Sequence, residues 1–287
     1  MSDRNAGGAG VTRRRILTAG GALLTAGVGG MSAARPSRAA GYTLVWNNWG
    51  PLAGYGVNAE CNPGGGGFAC DGSDVEIAHL SGYTEVTANP NARVTFVNAI
   101  GNRPFTDVTP DQQPLRLTKY EYVYAVRLPL VPTTGTLPWV AEQVHQMIQF
   151  WDGSNRLWNA QKHTMEAAVF WKLNPWDPGY GRIFVYTMSG GNLTARDTGY
   201  TLTPDTNWHV FDLQADLASR TYTGLAIDGH QIAVSNLPLA QISHPDWGPD
   251  LSLILTAESE NAYPGSPNPN LTQWTTQFRD PKLYRFD

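Results

Sequence analysis

Charge is scarce in this sequence. Asp, Glu, Lys and Arg make up only 15% of its 287 residues, too few for a helical surface laced with ion pairs. Sustained apolar periodicity of 3.6 residues is also missing. No segment keeps it beyond two turns, which excludes a core built from helices. Cysteine is nearly absent, with two in the whole chain, so a disulfide scaffold and a cysteine-rich metal site are both excluded. Internal repeats and an inter-domain linker are lacking. Beyond the N-terminal region no run approaches eighteen apolar residues, so the mature protein is expected to be soluble.

What is present points to strands. Ten Trp, twelve Tyr and nine Phe accompany 30 Gly and 20 Pro, a mixture of strand formers and turn formers. Strand-like runs begin with YTLVWNNW, DVEIAHL, ARVTFVN and YEYVYAVRLPL. QVHQMIQFW, TMEAAVFWKL, RIFVYTM and WHVFDLQ follow. TYTGLAIDGHQIAVS reads as two strands around an Asp228-Gly229 turn, and LSLILTAESE and TTQFRDPKLYRF close the chain. The clusters NPWDPGYG, MSGGN, ISHPDWGPD and YPGSPNPN separate them. The expectation is one all-β domain over residues 40–287, an antiparallel sandwich of two packed sheets.

The first 39 residues read as an address. Arg13, Arg14 and Arg15 precede a weakly apolar Ala/Gly/Leu run, the layout of a twin-arginine export signal, and Ser37 and Ala39 suit cleavage near Ala39–Ala40. Seven of the residues from Ile16 to Ala34 are Gly or Thr, too polar for a membrane anchor. Removal of residues 1–39 leaves fourteen basic and twenty-three acidic side chains, a net charge of −9. That balance excludes nucleic acid and anionic membranes as partners. The expected product is a secreted, extracellular monomer. Export favours oxidation of Cys61 and Cys70, which flank a Pro-Gly-Gly-Gly-Gly run in CNPGGGGFAC. A local disulfide is expected there, closing a loop at a gain of roughly 2–3 kcal/mol.

The segment WHVFDLQADLASRTYTGLAIDGHQIAV and the terminal FRDPKLYRFD resemble the late strands of concanavalin A-like lectin/glucanase jelly rolls. The resemblance covers roughly Tyr120 to Asp287. It implies a jelly-roll sandwich that works through a concave sheet. The superfamily includes glycoside hydrolases, polysaccharide lyases, lectins and binding modules, so the fold does not choose among them.

Alternation along strands assigns faces. In EQVHQMIQFWDG, Val144, Gln146, Ile148 and Phe150 form the buried side, while Gln143, His145, Gln149 and Trp151 share the other. The same logic turns Glu166, Phe170 and Lys172 outward, together with Arg182, Phe184, Tyr186 and Met188. It adds Ser252, Thr256, Glu258 and Glu260, and places Glu121 and Arg127 with this open set. Aromatic faces beside amides, carboxylates and cations suit a saccharide, so the expected partner is a polysaccharide or oligosaccharide. Each residue has a bland alternative. His145 is either a ligand of the groove or a buried structural histidine. Trp151, Trp171 and Trp208 are either groove or core, whereas Asp228 is turn chemistry and His209 structural.

Three chemistries remain open. Gln143-Val144-His145 resembles the Gln-Ile/Val-His motif of alginate lyases, which implies Gln143 neutralising a uronate and His145 handling a proton. The other lyase motifs are absent, and Tyr186 stands in for their catalytic tyrosine. Arg127, Lys172 and Arg182 would offset the negative charge locally. A hydrolase needs two carboxyls about 5–5.5 Å or 6.5–9.5 Å apart. Glu258 and Glu260, with Cα atoms roughly 6.6 Å apart on one strand, or Glu166 opposite Glu258, would serve, but the Glu-x-Asp-x-x-Glu signature of family 16 glucanases is missing. The third reading is binding without catalysis. No cofactor is expected. A structural calcium would need an oxygen cluster, and Asp177, Asp246 and Asp250 show no ligand spacing.

Overall fold

The computed structural model of the chain describes residues 41–48, 52, 56–62, 75–88, 96–131, 141–153, 157, 163–243, 250–262 and 274–287. Among these, all regular structure is strand. In chain order the strands are β1 (Tyr42–Asn47), β2 (Gly56–Asn62), β3 (Val75–His79), β4 (Thr84–Ala88), β5 (Phe96–Thr106), β6 (Lys119–Arg127), β7 (Ala141–Asp152) and β8 (His163–Lys172). They continue as β9 (Arg182–Ser189), β10 (Asn192–Thr201), β11 (His209–Asp216), β12 (Thr221–Ile227), β13 (His230–Gln231), β14 (Ala240–Ser243), β15 (Leu251–Ala262) and β16 (Trp274–Phe286).

They form two antiparallel sheets of eight strands. The back sheet runs β13-β12-β11-β6-β16-β4-β3, with β1 also on β16. The front sheet runs β10-β9-β8-β7-β15-β5-β2, with β14 also on β8. Hairpin neighbours at the sheet ends flank central pairs, such as β6-β16 and β7-β15, that are distant in sequence. This is the jelly-roll sandwich that the sequence resemblance implies.

The core is the layer between the sheets. From the front come Val144, Ile148 and Phe150 of β7, Met165, Ala167, Val169 and Trp171 of β8, and Leu251, Leu253, Leu255 and Ala257 of β15. From the back come Tyr120, Tyr122, Tyr124 and Val126 of β6, with Phe211 and Leu213 of β11. The alternation read from the sequence therefore holds in β7, β8 and β15.

Polar groups cross this layer as well. Gln146, fully buried, donates from Nε2 to the Tyr122 carbonyl at 2.9 Å. Tyr124 donates its hydroxyl to the His145 carbonyl at 3.1 Å. The Tyr222 hydroxyl accepts from Ala168 N–H at 2.9 Å and sits 2.6 Å from the Tyr186 carbonyl oxygen. The last contact explains a fork in the front sheet. β8 pairs with β9 only over Val169–Trp171, and then with β14 over His163–Glu166. Tyr222 fills the opening with hydrogen bonds that a ladder would otherwise supply.

The Asp228-Gly229 turn is present, with φ of 51° and 81°, values that suit a type I′ hairpin. Its second arm is shorter than expected. Only His230–Gln231 pair with β12, because Ile232 and Val234 turn into the core. Asp228 also holds His209 at 2.7 Å, and Asp205 holds the other ring nitrogen at 3.0 Å. Both residues are structural, as read. Four strands went unforeseen: β2, β4, β10 and β14. β10 is a polar edge strand, mostly exposed, whose charges discourage further pairing. Cys61 lies on β2 opposite Val97. Its side chain and Cys70 lie outside the described residues, as do residues 1–40 and Asp246.

Candidate functional site

The site is the face of the front sheet that points away from the core. Strand register builds it row by row. Glu258 of β15 lies opposite His145 of β7, His145 opposite Phe170 of β8, and Phe170 opposite Phe184 of β9. Four residues along, Ile254, Gln149 and Glu166 form a second row. Toward the other end, Gln143 pairs with Glu260 on one side and Lys172 on the other.

His145 and Glu258 form the centre. Each is 3% exposed, and His145 Nδ1 lies 3.7 Å from Glu258 Oε2. That distance is longer than a hydrogen bond but within ion-pair reach. Rings enclose the other side of the histidine. Phe170 is 5.4 Å from it and Tyr186 6.2 Å, the latter nearly perpendicular at 72°. Phe170 also stacks on Phe184 at 5.4 Å and packs on Tyr186 at 4.9 Å. Tyr186 is only half-buried. Gln143 is buried on the same face, two residues from His145.

The second row is a hydrogen-bonded chain. Gln149 Nε2 donates to Glu166 Oε2 at 2.8 Å, and Thr256 approaches Gln149 Oε1 at 3.4 Å. Burial pushes the Glu166 carboxyl above its ordinary range, while the Gln149 bond and the His145 charge pull it back in part. Trp151 is buried beside this row, paired with Ser252 and Thr164.

The expected cations fare differently. Lys172 is on the face, over the Phe184 ring at 4.8 Å, and its Nζ bonds Asp177 at 2.9 Å. Arg182 is ion-paired with Asp197 of β10 at 2.8 Å. Arg127 is elsewhere. It lies on β6 in the back sheet, facing out, where its guanidinium covers Trp208 at 4.7 Å and bonds Gln277. Glu121 shares that outer side. Alternation had fixed their phase along the strand but not the sheet that holds it. Trp171 is core, and Trp208 lies between Arg127 and Arg279 on the back sheet. The Glu260 side chain is outside the described residues. Among the described residues no group of three or more His, Cys, Asp or Glu is placed to hold a metal ion.

Glu166 and Glu258 lie on one face but not as a pair. They are four residues apart along the strands and two strands apart across them, roughly 16 Å between Cα atoms. A hydrolytic pair needs about 6.5–9.5 Å at most between carboxyls, and side chains that stand up from one sheet do not close that gap.

No protein-family model matches the sequence, and no curated protein matches it either. Solved structures are similar in fold. An endo-β-1,4-glucuronan lyase from the fungus Trichoderma reesei has a TM-score of 0.47 and 12% identity, over 84% of this chain and 95% of that one. The laminarinase catalytic domain from Thermotoga maritima has 0.45 and 13%, over 85% and 98%. An alginate lyase from a Chlorella virus has 0.42 and 10%, over 81% and 93%. Likenesses of this size place no residue, and the site stands on its own geometry.

Proposed function

We propose that this chain is an exported polysaccharide lyase that holds a uronate-containing polymer against the outer face of the front sheet. One observation carries the reading: the register brings Gln143, His145 and Tyr186 together on that face, with Glu258 behind the imidazole. β-Elimination needs those parts. An amide that hydrogen-bonds the uronate carboxylate makes the neighbouring C5 proton more acidic. A base removes that proton, a C4=C5 double bond forms as the C4–O bond breaks, and an acid protonates the departing oxygen. Gln143 supplies the amide. His145 takes the proton, and the Glu258 carboxylate beside it stabilises the imidazolium that forms. The Tyr186 phenol, on the open side, gives one to the leaving group. Of the two carboxylate pairs that hydrolysis would use, Glu166 and Glu258 are too far apart, and the Glu260 side chain of the other lies outside the described residues.

A second reading has its own support. His145 and Glu258 are deeply buried, as a structural pair would be, and the aromatic and amide lining then serves as a lectin-like binding surface. The test is a panel of polyuronates and neutral β-glucans incubated with the mature protein. New ultraviolet absorbance from unsaturated uronate ends supports the lyase. New reducing ends without that absorbance would replace it with a hydrolase. Retained polymer without cleavage would leave a binding protein.

A further inference from the structure

The loop between β8 and β9 spends many hydrogen bonds on an exposed tryptophan. Trp176 is 56% exposed, and it is the one aromatic among the large hydrophobic side chains exposed in the described residues. An exposed apolar residue alone needs no explanation. This one sits on a rigid support. Trp176 N–H donates to Asn174 Oδ1 at 2.9 Å, and Asn174 itself is buried. Asp177 N–H bonds the Asn174 carbonyl at 3.0 Å, and Tyr180 N–H the Asp177 carbonyl at 2.9 Å. Asp177 also takes Gly179 N–H at 2.6 Å and Lys172 Nζ at 2.9 Å. Pro175 and Pro178 flank Trp176 and Asp177, and each fixes its own φ.

The loop also leans to the working side of the sheet. Lys172 and Phe184 stand on that face, and a Cβ on Gly179 would lie 2.9 Å from Lys172 Cδ and 3.4 Å from Phe184 Cε2. The loop backbone is thus folded down over the end of the row that starts at His145 and Phe170. Lys172 is two residues beyond Phe170 on β8, and Trp176 follows four residues later in the loop.

We infer that Trp176 is a sugar-stacking residue, the outermost subsite of the polysaccharide face, which takes the C–H surface of a pyranose ring beyond Lys172. The inference rests on the polysaccharide reading of that face. A flat indole presented by a preorganised loop gives contact area at little ordering cost. A polymer that spans from His145 past Lys172 would reach it, and a disaccharide held at His145 would not.

The test compares wild type, Trp176→Ala and Trp176→Phe on an alginate, a β-linked polyglucuronate and a laminarin, each as polymer and disaccharide. Binding is measured by titration calorimetry and folding by thermal melts. Trp176→Ala should weaken polymer binding about tenfold, a stacking-sized loss. Trp176→Phe should recover part of it, and the disaccharide and the melting temperature should be unchanged. If wild type binds polymer and Trp176→Ala binds it equally well, the assignment fails and the polysaccharide reading stands. Equal losses on polymer and disaccharide would also overturn it, as the mark of a general structural effect. If wild type binds none of the three, the polysaccharide reading fails and takes this one with it.

Discussion

Glu166 and Glu258 carry the same side chain on the same sheet face, and their surroundings separate them. Glu258 faces an imidazole, whereas Glu166 accepts a hydrogen bond from the amide of Gln149. Burial therefore raises the Glu166 carboxyl from its ordinary 4.5. The sign follows from proton counting. Above about pH 4.5 the unfolded chain releases this proton while the folded chain keeps it, so the folded state binds more protons and stability falls as pH rises through the raised folded value. Glu166→Gln should remove that fall, since the new amide oxygen still accepts from Gln149. Urea midpoints across that range will check it: the variant should overtake wild type toward neutral pH, and parallel curves would refute the buried, proton-holding carboxyl. At this scale much was legible. A period of two placed Gln143, His145, Gln149 and Trp151 opposite Val144, Ile148 and Phe150, because only the apolar set fills the core. Arg127 was misplaced for a physical reason: one strand's alternation says nothing about which sheet holds it.

Among the elements, the fork between β8, β9 and β14 shapes the site. Tyr222 reaches across the core from the back sheet and satisfies the backbone of Ala168 and Tyr186 where the β8–β9 ladder ends. Tyr124 does similar service at the His145 carbonyl. Two tyrosines of one sheet thus fix two site residues of the other. Tyr222→Phe leaves a buried N–H without its acceptor, so a loss of about 1–3 kcal/mol in urea unfolding is expected. An unchanged midpoint would show that the fork closes by itself. The sequence hinted at this only in retrospect. Tyr120, Tyr122 and Tyr124 alternate on an apolar face, and each buried hydroxyl needs a partner, but no local pattern names it. β10 escaped notice because its exposed, polar edge has little apolar periodicity to detect.

For the whole molecule, the twin-arginine reading governs where the protein works. Arg14→Lys with Arg15→Lys should retain the precursor in the cytoplasm, read by fractionation and immunoblot, and normal secretion would count against that route. A charge of −9 after removal of residues 1–39 also bears on the substrate. Lys172 and Arg182 already hold Asp177 and Asp197, so on the proposed reading a uronate would compete with those carboxylates or rely on Gln143 and His145. The weight of the account therefore falls on His145. The most direct measurement is the rate of unsaturated-uronate formation by His145→Ala, taken with its melting temperature, on a polyuronate that wild type cleaves. The account predicts a rate lower by about 10²–10⁴-fold, the size of a lost general base, with the melting temperature within about 5 °C of wild type. A rate equal to wild type, or one that falls only as far as the protein unfolds, would contradict it.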